Sequence, residues 1–72
     1  MAELVAQVVA SRLPEPEERT RIREAAGVSL RAMARACGVT VATVIKWEQG
    51  ARPRPRHAVV YSAALRALEA TA

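Results

Sequence analysis

The chain has 72 residues, enough for one small domain, because a chain of this size buries only about 60% of its unfolded surface. Hydrophobic residues make up 51% of it, but aromatic residues only 3%, which favours a thin core of closely packed helices. The net charge is +4, and a single Cys with a single His excludes an internal disulfide and provides neither a metal-ligand cluster nor a nucleophile with its base.

The first predicted element is an amphipathic helix from Ala2 to Leu13, which Pro14 ends. Its apolar residues recur at helical spacing and are Leu4, Val5, Val8 and Val9. This apolar run is too short to span a bilayer, and the first residues include Glu3 but no basic cluster. We therefore expect a cytoplasmic protein without membrane contact.

Two further short helices are predicted in the next part of the chain. One is expected from about Glu17 to Ala26, with acidic residues at its positive end and Gly27 available as a C-cap. The other is expected between an N-cap at Ser29 and a stop at Gly38. Its shared apolar face consists of Leu30, Met33, Ala34 and Cys37, so Cys37 is expected to be a buried packing thiol.

The fourth predicted helix begins in a stretch whose composition resembles that of a strand. Residues 39–45 read VTVATVI, and six of the seven are β-branched. Thr40, however, is a good N-cap, and a helical period of about 100° per residue separates two faces. Val44 and Trp47 lie on the core face, and the outer face consists of Val41, Ala42, Ile45, Lys46 and Gln49. We therefore predict a helix that ends at Gln49, before Gly50.

An ARPRPR segment and a last helix complete the chain. Pro53 and Pro55 are expected to hold the segment extended, and the last helix is expected from about His57 to Ala70. His57 is expected to be a residue of the helix start or one facing phosphate. The predicted buried stripe of this helix is Val60, Tyr61, Ala64, Leu65 and Leu68.

Positive charge is concentrated in the middle of the chain. Residues 1–28 contain four Arg and five Glu, for a net charge of −1, whereas residues 29–56 contain five Arg, one Lys and one Glu, for a net charge of +5. A segment of this kind suits a polyanion, because cations that neutralise phosphates release condensed counterions. Charge alone leaves open whether the segment is simply a solvated basic face.

The stretch SLRAMARACGVTVATVIKWEQG resembles the helix-turn-helix of the phage repressor and Cro-like family of small DNA-binding proteins. Ala34, Gly38 and Val44 occupy the three diagnostic positions of the family, which are a small residue at the helix contact, a turn glycine and an aliphatic anchor. The ending Trp47-Glu48-x-Gly50 is similar to the family's W-E-x-G. The resemblance covers about residues 19–68.

This resemblance implies which residues would contact DNA. The base-contacting positions would be Val41, Ala42, Ile45 and Lys46. The backbone-contacting positions would be Thr40, Thr43, Arg52, Arg54 and Arg56, and proximity to the turn adds Arg31 to them. Since Val41 and Ala42 replace the Gln or Ser often found in the family, bidentate adenine readout is not available there. The resemblance also implies an ion pair between Arg23 and Glu48.

We therefore predict an all-α fold, a compact bundle of four to five short helices, with an extra N-terminal helix at 1–13 and a helix-turn-helix DNA-binding domain at 17–70. The expected function is sequence-specific binding of double-stranded DNA, as a transcriptional repressor or similar regulator, without catalysis, cofactor or metal. Two alternatives stay open. One is an antitoxin or other protein-partner module, with a homodimer or partner contact through the N-terminal helix, and the other is a DNA-architectural or recombination accessory factor.

Overall fold

The residues that the structure describes form five α-helices, joined by turns and short loops, and no strand. The structure is a computed structural model, and it describes residues 2–71 apart from the side chains of Ala2, Ala6, Ala10 and Ser11. The helices are α1 (Ala2–Ser11), α2 (Pro16–Ala25), α3 (Leu30–Cys37), α4 (Val41–Glu48) and α5 (Pro55–Thr71). The predicted all-α bundle is confirmed.

The first helix, α1, packs along α5. It ends at Ser11 rather than at the predicted Leu13, because Pro14 disfavours a helical conformation in the residue before it. The N–H of Arg12 still closes one more turn on the carbonyl of Val9 at 3.1 Å. An open groove with residues of both helices on its walls runs between α1 and α5.

Local capping explains why α2, α3 and α4 begin and end where they do. Proline at the first position starts α2 one residue earlier than predicted, since the missing N–H would be unpaired there in any case. The hydroxyl of Ser29 accepts the N–H of Ala32 at 3.0 Å, and that of Thr40 accepts the N–H of Thr43 at 3.2 Å. Both predicted N-caps are thus confirmed, and the β-branched run of residues 39–45 opens a helix.

The last helix begins at Pro55, two residues before the predicted start at His57. The N–H of Ala58 donates to the carbonyl of Arg54 at 2.8 Å, so Pro55 occupies the first helical position that its fixed φ favours. Between α4 and α5, residues 49–54 lie outside helices. Arg56 therefore belongs to the first turn of α5, and its predicted place in the loop was wrong.

The core lies where α2, α3, α4 and α5 meet. Its buried residues are Ile22, Met33, Ala34, Cys37, Val44, Trp47, Tyr61 and Leu65. The predicted stripe of α5 was wrong at Val60, which is 42% exposed, whereas Ala58 is fully buried. Ala58, Tyr61 and Leu65 follow one another at i, i+3 and i+7, and Val60 falls outside that arc.

Candidate nucleic-acid interface

A tight left-handed turn connects α3 to α4 and sets the angle between them. Gly38 has φ of 70°, a conformation that side chains with a Cβ rarely adopt. Its N–H donates to the carbonyl of Arg35 at 3.3 Å, and the next N–H, that of Val39, donates to Ala34 at 3.0 Å. These bonds satisfy carbonyls at the end of α3, so that α4 can start after only three intervening residues.

The two faces of α4 differ in burial as its periodicity predicts. Val44 is fully buried, and Trp47 is buried with its ring centroid 4.5 Å from that of Tyr61. Ala34, a small residue of α3, is buried in the same core cluster as Val44, and α3 packs against α4. The helix-turn-helix geometry expected from Ala34, Gly38 and Val44 is therefore present.

The outer face of α4 carries the predicted base-contacting residues, which are not equally accessible. Ala42, Ile45 and Lys46 are exposed. Val41 is only half-buried, because it also packs against the edge of the core. The outer face is thus mostly aliphatic with one cation, Lys46, a composition that suits methyl contacts and a single donor more than a hydrated surface.

The two threonines at the start of α4 are joined by a hydrogen bond. Their hydroxyl oxygens lie 2.9 Å apart, and either one can be the donor. Thr40 is exposed and Thr43 is half-buried. The capping bond holds the first turn of α4 in place, and it leaves the predicted backbone-contacting hydroxyls side by side at the helix N-terminus.

Three side chains of α2 hold the other end of α4. Arg19 donates to the carbonyl of Trp47 at 3.0 Å, and Thr20 donates to Glu48 at 3.0 Å. Arg23 forms the predicted ion pair with Glu48, with 2.6 Å between Nε and Oε2. The hydrogen-bonded carboxylate of Glu48 raises the pKa of Arg23, so that guanidinium stays charged despite its burial. Neither Arg19 nor Thr20 was predicted from the sequence to contact α4.

The arginines divide into a paired group and a group without ion pairs among the described residues. Those of the paired group lie on α2, where Arg21 contacts Glu18 and Arg23 contacts Glu48. The cations without an ion pair in the described chain include all the charged residues predicted to contact DNA, which are Arg31, Lys46, Arg52, Arg54 and Arg56. The positive charge around α4 is therefore not neutralised internally.

Part of this charge converges on one open groove of about 440 Å³ beside α4. Its polar lining residues are Thr40, Thr43, Lys46, Arg52, Arg54 and His57. Arg31 and Arg56 lie exposed in the first turns of α3 and α5. The structure thus brings most of the predicted backbone-contacting residues to the side of α4 that also carries Lys46, and it adds His57.

The environment of the single cysteine disfavours reactivity. Cys37 is buried, and burial raises the pKa of its thiol, which disfavours the reactive thiolate. Within residues 2–71, no group of three His, Cys, Asp or Glu side chains could hold a metal ion. No helix in that range is long and apolar enough to cross a membrane.

The fold and the surface around α4 define a helix-turn-helix module, and comparison with known families agrees. The profile of the helix-turn-helix domain matches residues 20–72, most of the chain. The chain belongs to this family of DNA-binding domains, which are typically not enzymes. Neither the curated proteins nor the solved structures include a significant match to the chain. The family match begins within α2 and leaves α1 outside.

Proposed function

We propose that the chain is a sequence-specific regulator of transcription, a repressor of the Cro-like type, that inserts α4 into the major groove of duplex DNA. The observation that carries this proposal is the exposed, mostly aliphatic face of α4 beside cations that have no acidic partner in the described chain. A major groove about 12 Å wide admits one helix, and the adjoining phosphates lie where cations at both ends of the helix can reach them.

The proposal assigns base readout to the outer face of α4. Lys46 donates to the N7 and O6 acceptors of a guanine, and Ala42 and Ile45 lie against thymine methyl groups. Val41 contributes only the part of its side chain that is not packed against the core. A half-site with one G flanked by T-bearing pairs is expected.

Contacts to the DNA backbone position the helix without reading sequence. The residues assigned to them are Thr40, Thr43, Arg31, Arg52, Arg54 and Arg56. Thr40 and Thr43 sit at the N-terminus of α4, where N–H groups and the helix dipole favour a phosphate. The arginines approach from the first turn of α3, from the segment after α4 and from the start of α5.

Selection of bound sequences from random duplex DNA tests the proposal. Wild-type protein is expected to enrich a palindrome of G-containing half-sites, and Lys46→Ala to lose preference at the guanine. Arg66→Ala is the matched control, since it removes an exposed cation that lies in the groove between α1 and α5. Enrichment of no sequence by the wild type, or the same loss in both variants, contradicts the assigned readout.

A second candidate function, self-association through α1, is favoured by the exposure of its apolar residues. Leu4 is 61% exposed and Val5 53%. Exposed large apolar residues that adjoin one another mark interaction surfaces. A single DNA-binding module of this size buries roughly 600–1,000 Å² of its surface against DNA. Specificity for a DNA sequence therefore commonly comes from two copies bound to half-sites about one helical turn apart. We assign residues 1–13 to this contact and residues 17–70 to DNA binding.

The test of this second function is binding to DNA that carries one half-site or two. Leu4→Gln is expected to remove cooperativity on two half-sites and to leave single-site affinity unchanged. Ala63→Gln, an exposed change on α5, is the matched control. Equal behaviour of the two variants would leave α1 to a different protein partner, as in an antitoxin.

A further inference from the structure

The groove beside α4 contains a titratable group, His57, which the sequence predicted at the helix start or facing phosphate. Three cations line this groove, Lys46 from α4 and Arg52 and Arg54 from the segment after it. No carboxylate lines it. His57, in the first turn of α5, also lines it, so four basic side chains from three parts of the chain face one space.

Packing positions the imidazole of His57 without occupying its nitrogens. The side chain is half-buried, and its ring centroid lies 6.2 Å from that of Trp47 at an interplanar angle of 47°. Among the described residues, no hydrogen bond and no ion pair engages either ring nitrogen. A side chain held by an aromatic contact on the wall of a cationic groove has its polar atoms available for an anion.

We propose that His57 is a phosphate-binding residue that holds a DNA phosphodiester in this groove only when its imidazole is protonated. This inference rests on the proposed DNA-binding function. A neutral imidazole offers one N–H, whereas an imidazolium offers two and a full charge. Of the side-chain types that line the groove, ammonium and guanidinium groups are ordinarily charged near neutral pH, and imidazole is the type whose charge ordinarily changes there.

Binding of the proton and binding of the phosphate then support each other. In the free protein, a proton on His57 adds a fourth positive charge to the three cations of the groove. Arg56 is adjacent to His57 in the chain, and the uncharged, buried Tyr61 lies one turn further along α5. A phosphate at this place interacts favourably with all four charges. By linkage, DNA binding takes up a proton, and the affinity for DNA rises as the pH falls.

The experiment measures affinity for a short duplex of arbitrary sequence against salt, at about pH 5.5 and about pH 7.5, between which imidazole is the side chain that ordinarily titrates. The chain contains a single His. One more neutralised phosphate steepens the slope of log affinity against log salt by about 0.9, which corresponds to as much as about eightfold tighter binding at 0.1 M salt. The salt slope of wild-type protein is therefore expected to be steeper by about 0.9 at the lower pH than at the higher pH.

Two substitutions separate the charge of His57 from its packing. His57→Gln is expected to give the shallower slope at both pH values, and His57→Lys the steeper slope at both. Arg66→Gln, on α5 outside the groove, is expected to keep the wild-type difference in salt slope between the two pH values. A pH effect that persists in His57→Gln, or a His57→Lys slope equal to that of His57→Gln, overturns the assignment.

The result also distinguishes this inference from the function on which it rests. Binding of duplex DNA with equal salt slopes at both pH values overturns only the role of His57, and the comparison needs no variant. Absence of duplex binding at both pH values overturns the proposed function and the inference with it.

Discussion

Arg23 of α2 and Glu48 at the end of α4 form a two-point ion pair. Nε of Arg23 donates to Oε2 at 2.6 Å, and Nη2 donates to Oε1 at 3.1 Å. Both side chains are about nine-tenths buried, with 11% and 10% exposed. Because Arg23 also donates to the carbonyl of Val28, this one guanidinium connects α2, the loop between α2 and α3, and the end of α4.

Glu48→Ala is expected to lower the free energy of unfolding by more than about 1 kcal/mol, because it leaves a buried guanidinium without its partner. It also removes the acceptor of the Thr20 hydroxyl. Glu24→Ala is the control, since that exposed carboxylate lies 4.0 Å from the same arginine and is expected to change stability by less than about 0.5 kcal/mol. Urea unfolding measures both, and equal losses would contradict a structural role for the pair.

Helix positions were predictable from local signals, and long-range side-chain contacts were not. Ser29, Thr40 and Gly38 act through neighbours within a few residues, so their sequence context was sufficient. The Arg23–Glu48 pair was predictable only through family resemblance. No local pattern indicated that Arg19 would donate to the carbonyl of Trp47, 28 residues away.

Errors in α5 have a similar physical origin. Val60 is as apolar as its buried neighbours, and only the orientation of α5 against α3 and α4 decides that Ala58 is inside instead. The sequence predicted His57 as a residue of the helix start or one facing phosphate, but not its place in one groove with Lys46 and the arginines after α4. Its place in the basic groove depends on the helix beginning at Pro55, which turns the first residues of α5 toward Trp47.

Tyr61 is fully buried, and its hydroxyl has no hydrogen-bond partner in the described chain. A buried hydroxyl without a partner costs about 1–3 kcal/mol. Tyr61→Phe keeps the ring that packs on Trp47, so we expect it to raise the free energy of unfolding by about 1 kcal/mol at neutral pH. Thermal and urea unfolding measure the change. A loss of stability would mean that the hydroxyl has a favourable contact.

The same residue makes stability depend on alkaline pH. Burial, and next the charge of Glu48, raise the pKa of Tyr61 from 10.0 to about 12. The unfolded chain therefore loses this proton at a lower pH than the folded chain. The contribution of the protonated Tyr61 to stability is complete below about pH 10 and is lost as the pH rises through about 12. The wild type is expected to lose up to about 3 kcal/mol more than Tyr61→Phe over this range. Parallel pH profiles of the two proteins would exclude the effect.

The salt dependence of DNA binding tests the arginines after α4. Replacing Arg52 and Arg54 with Ala is expected to weaken binding to all sequences similarly and to flatten the slope of log affinity against log salt by about 0.9 for each contact. The control replaces Arg12 and Arg66, two exposed cations that line the groove between α1 and α5. An unchanged slope in the Arg52 and Arg54 variant would place the phosphate contacts elsewhere.

Thymine readout is best tested at Ile45, because Ile45 is exposed and Val41 is partly packed against the core. Val41 packs partly against the core, so a polar substitution there would change folding as well as binding. Ile45 is 37% exposed and does not contribute to that core. A polar substitution at Ile45 should therefore remove a contact with a thymine methyl group without changing folding stability. The loss of one buried methyl contact costs about 0.8 kcal/mol of binding free energy.

Ile45→Ser is therefore expected to bind the selected site about fourfold more weakly than wild type, the equivalent of about 0.8 kcal/mol. The decisive measurement compares thymine with uracil, which lacks the methyl group, at each T-bearing pair of the half-site. Wild-type protein is expected to lose affinity with uracil at one position, and Ile45→Ser to be insensitive there. Lys46→Ala should retain the thymine preference while it loses preference at the guanine, because the two side chains contact different bases. If uracil has no effect on wild-type binding at any position, the aliphatic face of α4 does not lie against thymine methyl groups.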